Sequence, residues 1–235
     1  MEKSDGGGVL PERGDDGPPS MANATLLREP PVTARGVRTR NRLVAAARVV
    51  FEREGYLDAR LVDITKEAGL STGSFYTYFT NKEQVFAAVV EVTQNDLLHP
   101  GMGRVADEGD VHAIVEASIR AYLHACRRNA RLLAVLEQVA HVDPEFRELE
   151  RRRDDIFFRR NARAIADLQE RGLADAALDP MLTSKALSAM VGRTAYSYFV
   201  GPVSERKSLS FDQLATGLAR MWTNALRVPD SVRGQ

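Results

Sequence analysis

The sequence predicts an all-α protein, with a short N-terminal helical unit followed by a larger helical body. Two observations carry this. Apolar residues recur every three or four positions from Arg38 almost to the end, and no window alternates polar and apolar residues long enough to make a strand. With 235 residues and 44% hydrophobic content, there is ample material for a folded core. No apolar run approaches the roughly 18–20 residues of a membrane-spanning helix, and a single cysteine, Cys126, excludes an intramolecular disulfide. Glu2, Asp5 and a run of glycines stand where a secretory signal would be basic and then apolar, so a reducing cytoplasm is the expected location.

The elements follow in order. Residues 1–33 are rich in Gly, Pro and acids and offer little apolar surface to offset the entropy of ordering, which predicts a disordered tail; Met21 is a second candidate start. Helix one runs from about Arg38, with Leu43, Val44, Ala47, Val50 and Phe51 on one side, and stops at Gly55. Helix two is short, with Leu61, Ile64 and Ala68 on one face and Gly69 as its C-terminal stop. The hydroxyl of Ser71 or Thr72 caps a third short helix, over about 72–79, by accepting a backbone N–H left unpaired in its first turn. Helix four starts near Asn81, with Val85, Phe86, Val89 and Val90 as its stripe. Beyond a Gly- and Pro-containing break at 99–110, helical segments are expected near 111–128, 130–141, 144–172, 180–200 and 210–227.

The stretch "GLSTGSFYTYFTNKE", Gly69 to Glu83, holds four aromatics and five Ser or Thr residues. Wound as a helix, it places Phe75 and Phe79 together with Tyr78 alongside, and turns Thr72, Gly73, Tyr76 and Thr77 to another face. One face is apolar and the other is rich in hydrogen-bonding groups. Gly73 inside a helix costs about 1 kcal/mol relative to Ala, a loss that makes sense where backbone must approach another surface closely. A glycine turn between two short helices, the second with a polar leading face, is what a helix-turn-helix needs to enter a major groove. Formal net charge is zero, yet Arg35 to Arg60 carries seven arginines against Glu52, Glu54 and Asp58, while residues 1–20 are acidic. Phosphate neutralisation by such a local basic patch supplies sequence-independent affinity, and the hydroxyls and ring edges of 72–77 are placed to read bases.

Residues 38–86, "TRNRLVAAARVVFEREGY" through "VDITKEAGLSTGSFYTYFTNKEQVF", resemble the DNA-binding domain of the TetR family of bacterial transcriptional regulators. The resemblance implies a helix-turn-helix unit over 34–81 and a ligand-binding and dimerisation body over 82–230. Position by position, it implies that Thr72, Gly73, Ser74, Tyr76 and Thr77 face the DNA, that Tyr78 and Lys82 reach phosphates, and that Phe75 and Phe79 hold the third helix to the first two. The chain departs from the family at Ala59-Arg60, where Thr followed by Thr or Ser usually enters helix two. Asp58 is therefore expected to cap that helix and Arg60 to supply the phosphate contact.

No Gly-rich phosphate loop, nucleophile elbow or suitably paired carboxylates occur, so no enzymatic activity, cofactor or metal is expected. His99, His112, His124 and His141 show no metal-ligand pairing, and His124 and Cys126 point apart on a helix. In TetR-like proteins the last two helices form a four-helix bundle with the partner subunit. Carried over, this makes Ser188, Gly192 and Ala195 on 180–200, with Leu214, Leu218 and Trp222 on 210–227, the expected dimer interface; packing in the subunit's own core is the competing explanation for both stripes. The expected pocket walls are Tyr122, Cys126, Leu136, Phe157 and Met190, whose character suggests an apolar or amphipathic effector. Arg193, a charge within an apolar helix, is expected either to pair with an acid across the dimer or to meet an anionic group of the effector. Together these features describe a homodimeric, ligand-responsive repressor on a palindromic double-stranded operator. The rival is a DNA-binding regulator without a small ligand, gated by a protein partner or by abundance, for which the body's core would be filled.

Overall fold

The computed structural model describes residues 26, 27, 29, 31–93, 110–201 and 209–229, among which there are nine α-helices and no strand. Most of the expected disordered tail, with Met21 and His99, lies outside the described residues. The end of that tail does pack: Leu27 lies against the N-terminal core, and Pro31 fits over Gly36, where an added Cβ would come within 2.8 Å of it. Thr33 accordingly starts α1 (Ala34–Glu54) four residues earlier than its apolar stripe suggests, its hydroxyl accepting from the Gly36 amide at 3.1 Å.

Gly55, at φ +81°, ends α1, and α2 (Leu61–Glu67) follows. Its N-cap is Arg60, whose side chain makes no capping bond, so the expected cap by Asp58 is replaced by the Arg60–Asp63 ion pair at 2.9 Å. The end of α2 is a paired-carbonyl stop that needs glycine. Gly69 takes φ +60°, its amide donates to the Lys66 carbonyl and the Leu70 amide to that of Thr65. The next helix, α3 (Thr72–Tyr78), is capped by Ser71, and α4 (Lys82–Thr93) follows at once.

The body comprises α5 (Val111–Arg128), α6 (Ala130–Val142), α7 (Pro144–Glu170), α8 (Pro180–Val200) and α9 (Phe211–Ala225). Asp143 and Asp179 each accept backbone amides ahead of a proline in the first turn, and Ser210 with Gln213 closes a reciprocal capping box on α9. Two apolar cores result. The first joins α1–α4 to Leu132, Val135, Leu136 and Val139 of α6 and Phe146 of α7, so it runs across the expected boundary at 81/82. The second joins α5, α7, α8 and α9.

The second core revises the expected interface. Leu214, Leu218 and Trp222 are only 4, 4 and 5% exposed in the single subunit, because α9 lays that stripe on α5. Ser188 and Ala195 are likewise buried on the inward side of α8, and Gly192 makes room for Tyr122, whose hydroxyl lies 3.5 Å from where its Cβ would be. Stripes of small and apolar residues serve the subunit's own core. The outward faces carry instead Leu182 and Met221, 68 and 57% exposed, with exposed Ala186 and Ala189 between turns of α8.

Candidate functional site

In α3, Ser71 Oγ accepts from the Ser74 amide at 3.2 Å and meets the Ser74 hydroxyl at 3.0 Å. Phe75 and Phe79 are fully buried, their rings 5.6 Å apart, with the Arg40 guanidinium over Phe79 at 5.5 Å. That anchoring leaves Thr72, Gly73, Tyr76 and Thr77 facing outward, with Tyr76 54% exposed. An α-helix with its side chains is about 10–12 Å across, which matches a major groove about 12 Å wide. An added Cβ at Gly73 would meet only Ser71 Oγ, at 3.9 Å, so nothing among the described residues requires glycine there.

The other four residues expected to face DNA stand differently. Ser74 is half-buried with its hydroxyl on Ser71, and Tyr78 is half-buried against the core. Arg60 is exposed but holds Asp63, keeping that carboxyl below the usual carboxylate range. Lys82 donates to the carbonyls of Tyr56, Leu57 and Ala59 at 2.8, 3.1 and 3.3 Å and lies 4.7 Å from the Tyr56 ring centre. All three ammonium protons are occupied, so in this structure Lys82 pins the α1–α2 loop and is not extended for a phosphate. Lys82→Ala is therefore expected to lower the stability of the domain by about 1.5–3 kcal/mol, the range for charge-assisted hydrogen bonds, as well as to weaken DNA binding. Thermal unfolding of the variant checks it: unchanged stability with reduced DNA affinity would restore the simple phosphate contact.

Of the seven arginines, Arg40, Arg42, Arg48, Arg53 and Arg60 have partners within the subunit, including Arg42 on the Gly69 carbonyl and Arg48 on Asn129. The guanidinium groups of Arg35 and Arg38, at the start of α1, form no ion pair among the described residues and stay available to a polyanion.

A second site lies in the body. A cavity of about 400 Å³ opens among α5, α6, α7 and α8, within the range of small-molecule sites. Tyr122, Cys126, Leu136 and Arg193 line it as expected. Phe157 and Met190 do not: Phe157 lies one turn past the lining residues of α7, beside Phe158, and Met190 packs on the second core. Five charged residues share the walls: Glu137, Glu150, Arg153, Asp154 and Arg193. Burial, then Asp154, pushes the Glu150 carboxyl up to about 7, against the pull of Arg153. Burial holds the Cys126 thiol up at about 11, which makes it a poor nucleophile. Arg193 is exposed at the rim, its guanidinium 5.7 Å from the Tyr196 ring centre.

Sequence reasoning missed the charged wall, although it left a signal: Glu150 and Arg153 interrupt the inward stripe Phe146, Asn161, Ile165, Leu168 of α7. It also missed the link between the sites. Gln138 on α6 accepts from the Tyr56 amide at 3.1 Å, while its neighbour Glu137 faces the cavity. His112, His124 and His141 serve structural contacts, to the Pro229 carbonyl, the Phe211 ring and the Glu137 carbonyl. No group of three or more potential ligands among the described residues could hold a metal, and no described helix is long and apolar enough to cross a membrane.

The model of the family described as bacterial regulatory proteins, tetR family, matches residues 43–89, which span α1 from Leu43 through most of α4. Two helix-turn-helix-type transcriptional regulators of Bacillus subtilis align with the chain. YfiR is 31% identical over 133 residues, and YdgC is 36% identical over 77. These alignments cover 52 and 29% of this chain and 62 and 40% of the relatives, so the chain spans less than two thirds of either. Among solved structures, Salmonella enterica GusR superimposes with a TM-score of 0.61 at 21% identity, covering 83% of this chain and 98% of that one. The fatty acid degradation regulator FadR of Bacillus halodurans gives 0.63 at 18% identity, covering 81 and 97%; at such identities the likeness concerns the fold. Residues 43–89 are thus similar to the DNA-binding domain of the tetR family, and the helical body that follows shares the fold of these solved regulators.

Proposed function

We propose that the protein is a homodimeric repressor that binds a palindromic operator through α2 and α3 and is released when an amphipathic effector enters the body. The observation that carries this reading is the cavity of about 400 Å³ whose wall is α6, the same helix that holds the α1–α2 loop through Gln138. A ligand that prefers a shifted α6 alters the seating of α1 and α2, and so the separation of the two recognition helices. Such a switch needs a coupling of only about 1–3 kcal/mol between the sites. The open cavity also speaks against the rival in which the body has a filled core.

The test is a thermal-shift screen of a metabolite library, followed by operator release in gel-shift assays for each stabilising compound. Hits that weaken operator binding support the reading. A chain that binds its operator tightly, yet whose affinity no stabilising compound alters, would belong to the class gated by partners or abundance.

A further inference from the structure

The chemistry of the cavity wall is more specific than "amphipathic", and an inference from it rests on the effector reading above. Three carboxylates line the cavity, Glu137 from α6 with Glu150 and Asp154 from α7, against two guanidinium groups. Arg153 is shared electrostatically between Glu150 and Asp154. Arg193, from α8, stands at the exposed rim with its guanidinium beside the Tyr196 ring. The titratable groups that α5 contributes are Tyr122 and Cys126, both kept protonated by burial. With all three carboxylates ionised, the wall holds one negative charge more than its positive ones, in a partly buried space where unpaired charge is expensive. Ala125, Leu133, Leu136 and Ala140 supply apolar wall, and the Tyr122 and Tyr196 rings add surfaces that attract cations.

We infer that the cavity takes a monocationic amphiphile, an organic ammonium with an apolar body, its head among Glu137, Glu150 and Asp154 and its body along α6. In the empty cavity a proton does part of this work, since Glu150 is pushed up to about 7 by burial and by the neighbouring carboxylates. A bound cation removes the repulsion and displaces that proton. Because the free carboxyl must ionise before the cation gains its partner, binding strengthens as pH rises through 7 and weakens below it. For one group titrating near 7, affinity is about tenfold higher at pH 8 than at pH 6, and up to one proton is released per ligand bound.

The experiment is calorimetric titration of the full chain with three probes that share a tail and differ in head charge: decyltrimethylammonium, decanol and decanoate. Each is run at pH 6 and pH 8 in two buffers of different ionisation enthalpy, so that released protons are counted. The expected result is binding of the ammonium in clear preference to the other two, about tenfold tighter at pH 8. Glu150→Gln should lose most of that affinity at pH 8 together with its pH dependence, and the variant's thermal unfolding in the absence of probe verifies that it is folded. Tighter binding of decanoate, equal binding of all three, pH-independent binding of the ammonium or no binding of it overturns the inference. Failure of the effector reading looks different: the ammonium binds as described, with its proton release, but operator affinity in gel shift does not change. Operator release by decanol or decanoate alone would sink the cation and keep the regulator.

Discussion

Gly73→Leu is expected to remove operator binding by about a hundredfold or more while leaving the subunit folded and, if anything, more stable. Among the described residues nothing crowds the space beside Gly73, where an added Cβ finds only Ser71 Oγ at 3.9 Å. Replacing a helical glycine by leucine recovers helix propensity of somewhat less than about 1 kcal/mol. The proposed groove-facing surface has the opposite requirement. A bulky side chain between Thr72 and Tyr76 would hold the backbone of α3 away from the DNA and break contacts on either side, each worth about 1–3 kcal/mol of discrimination. Gel-shift titration and thermal unfolding of the same variant check both halves. Operator affinity equal to the original chain's would move the DNA-facing side of α3 elsewhere, and a lower unfolding temperature would mean that Gly73 serves the fold.

Trp222→Ala should unfold the subunit rather than separate two intact ones. Trp222 is 5% exposed in the single chain and packs in the core that joins α5 to α9. Its indole N–H has no hydrogen-bond partner among the described residues, so its contribution is apolar packing. Truncation of a buried tryptophan costs about 3–5 kcal/mol, a large part of the stability of an ordinary domain. Ala189→Arg gives the contrast. Ala189 is exposed on the outward face of α8, and under the proposed dimer arrangement an arginine there obstructs close approach of a partner helix while the subunit core stays intact. Sedimentation with thermal unfolding distinguishes the two: Trp222→Ala lowers the unfolding temperature, whereas Ala189→Arg gives a folded monomer with weakened operator binding. A folded, monomeric Trp222→Ala would return the interface to the inward stripe, and a full-strength Ala189→Arg dimer would place it off this face.

Helix boundaries in the body were legible within two residues or so because caps and prolines act locally. Asp179 beside Pro180 and Ser210 beside Gln213 settle their helix starts whatever the rest of the chain does. The start of α1 was misjudged for the same local reason, since the Thr33 cap lies ahead of the first apolar stripe residue. The apolar and exposed faces of α3 were also readable, because a seven-residue helix anchored by Phe75 and Phe79 has little freedom in what it turns outward.

By itself, then, the sequence determined the all-α class, the order of the helices, and the helix-turn-helix with its Gly69 stop and a hydroxyl cap at Ser71 or Thr72. Each depends on periodicity and on groups a few residues apart. Only the tertiary structure decided which way the stripes of α8 and α9 turn, what Lys82 holds and what lines the cavity. A helix with small residues on one side fits a partner subunit or its own core equally well, and the choice is made by α5, distant in sequence, and by α7 lying against it. The ammonium of Lys82 reaches the Tyr56 carbonyl 26 residues away because the chain doubles back between α1 and α4. The charged wall arises likewise: the Glu150 carboxyl is pushed up to about 7 only where α7 buries it, with Asp154, beside Glu137 of α6.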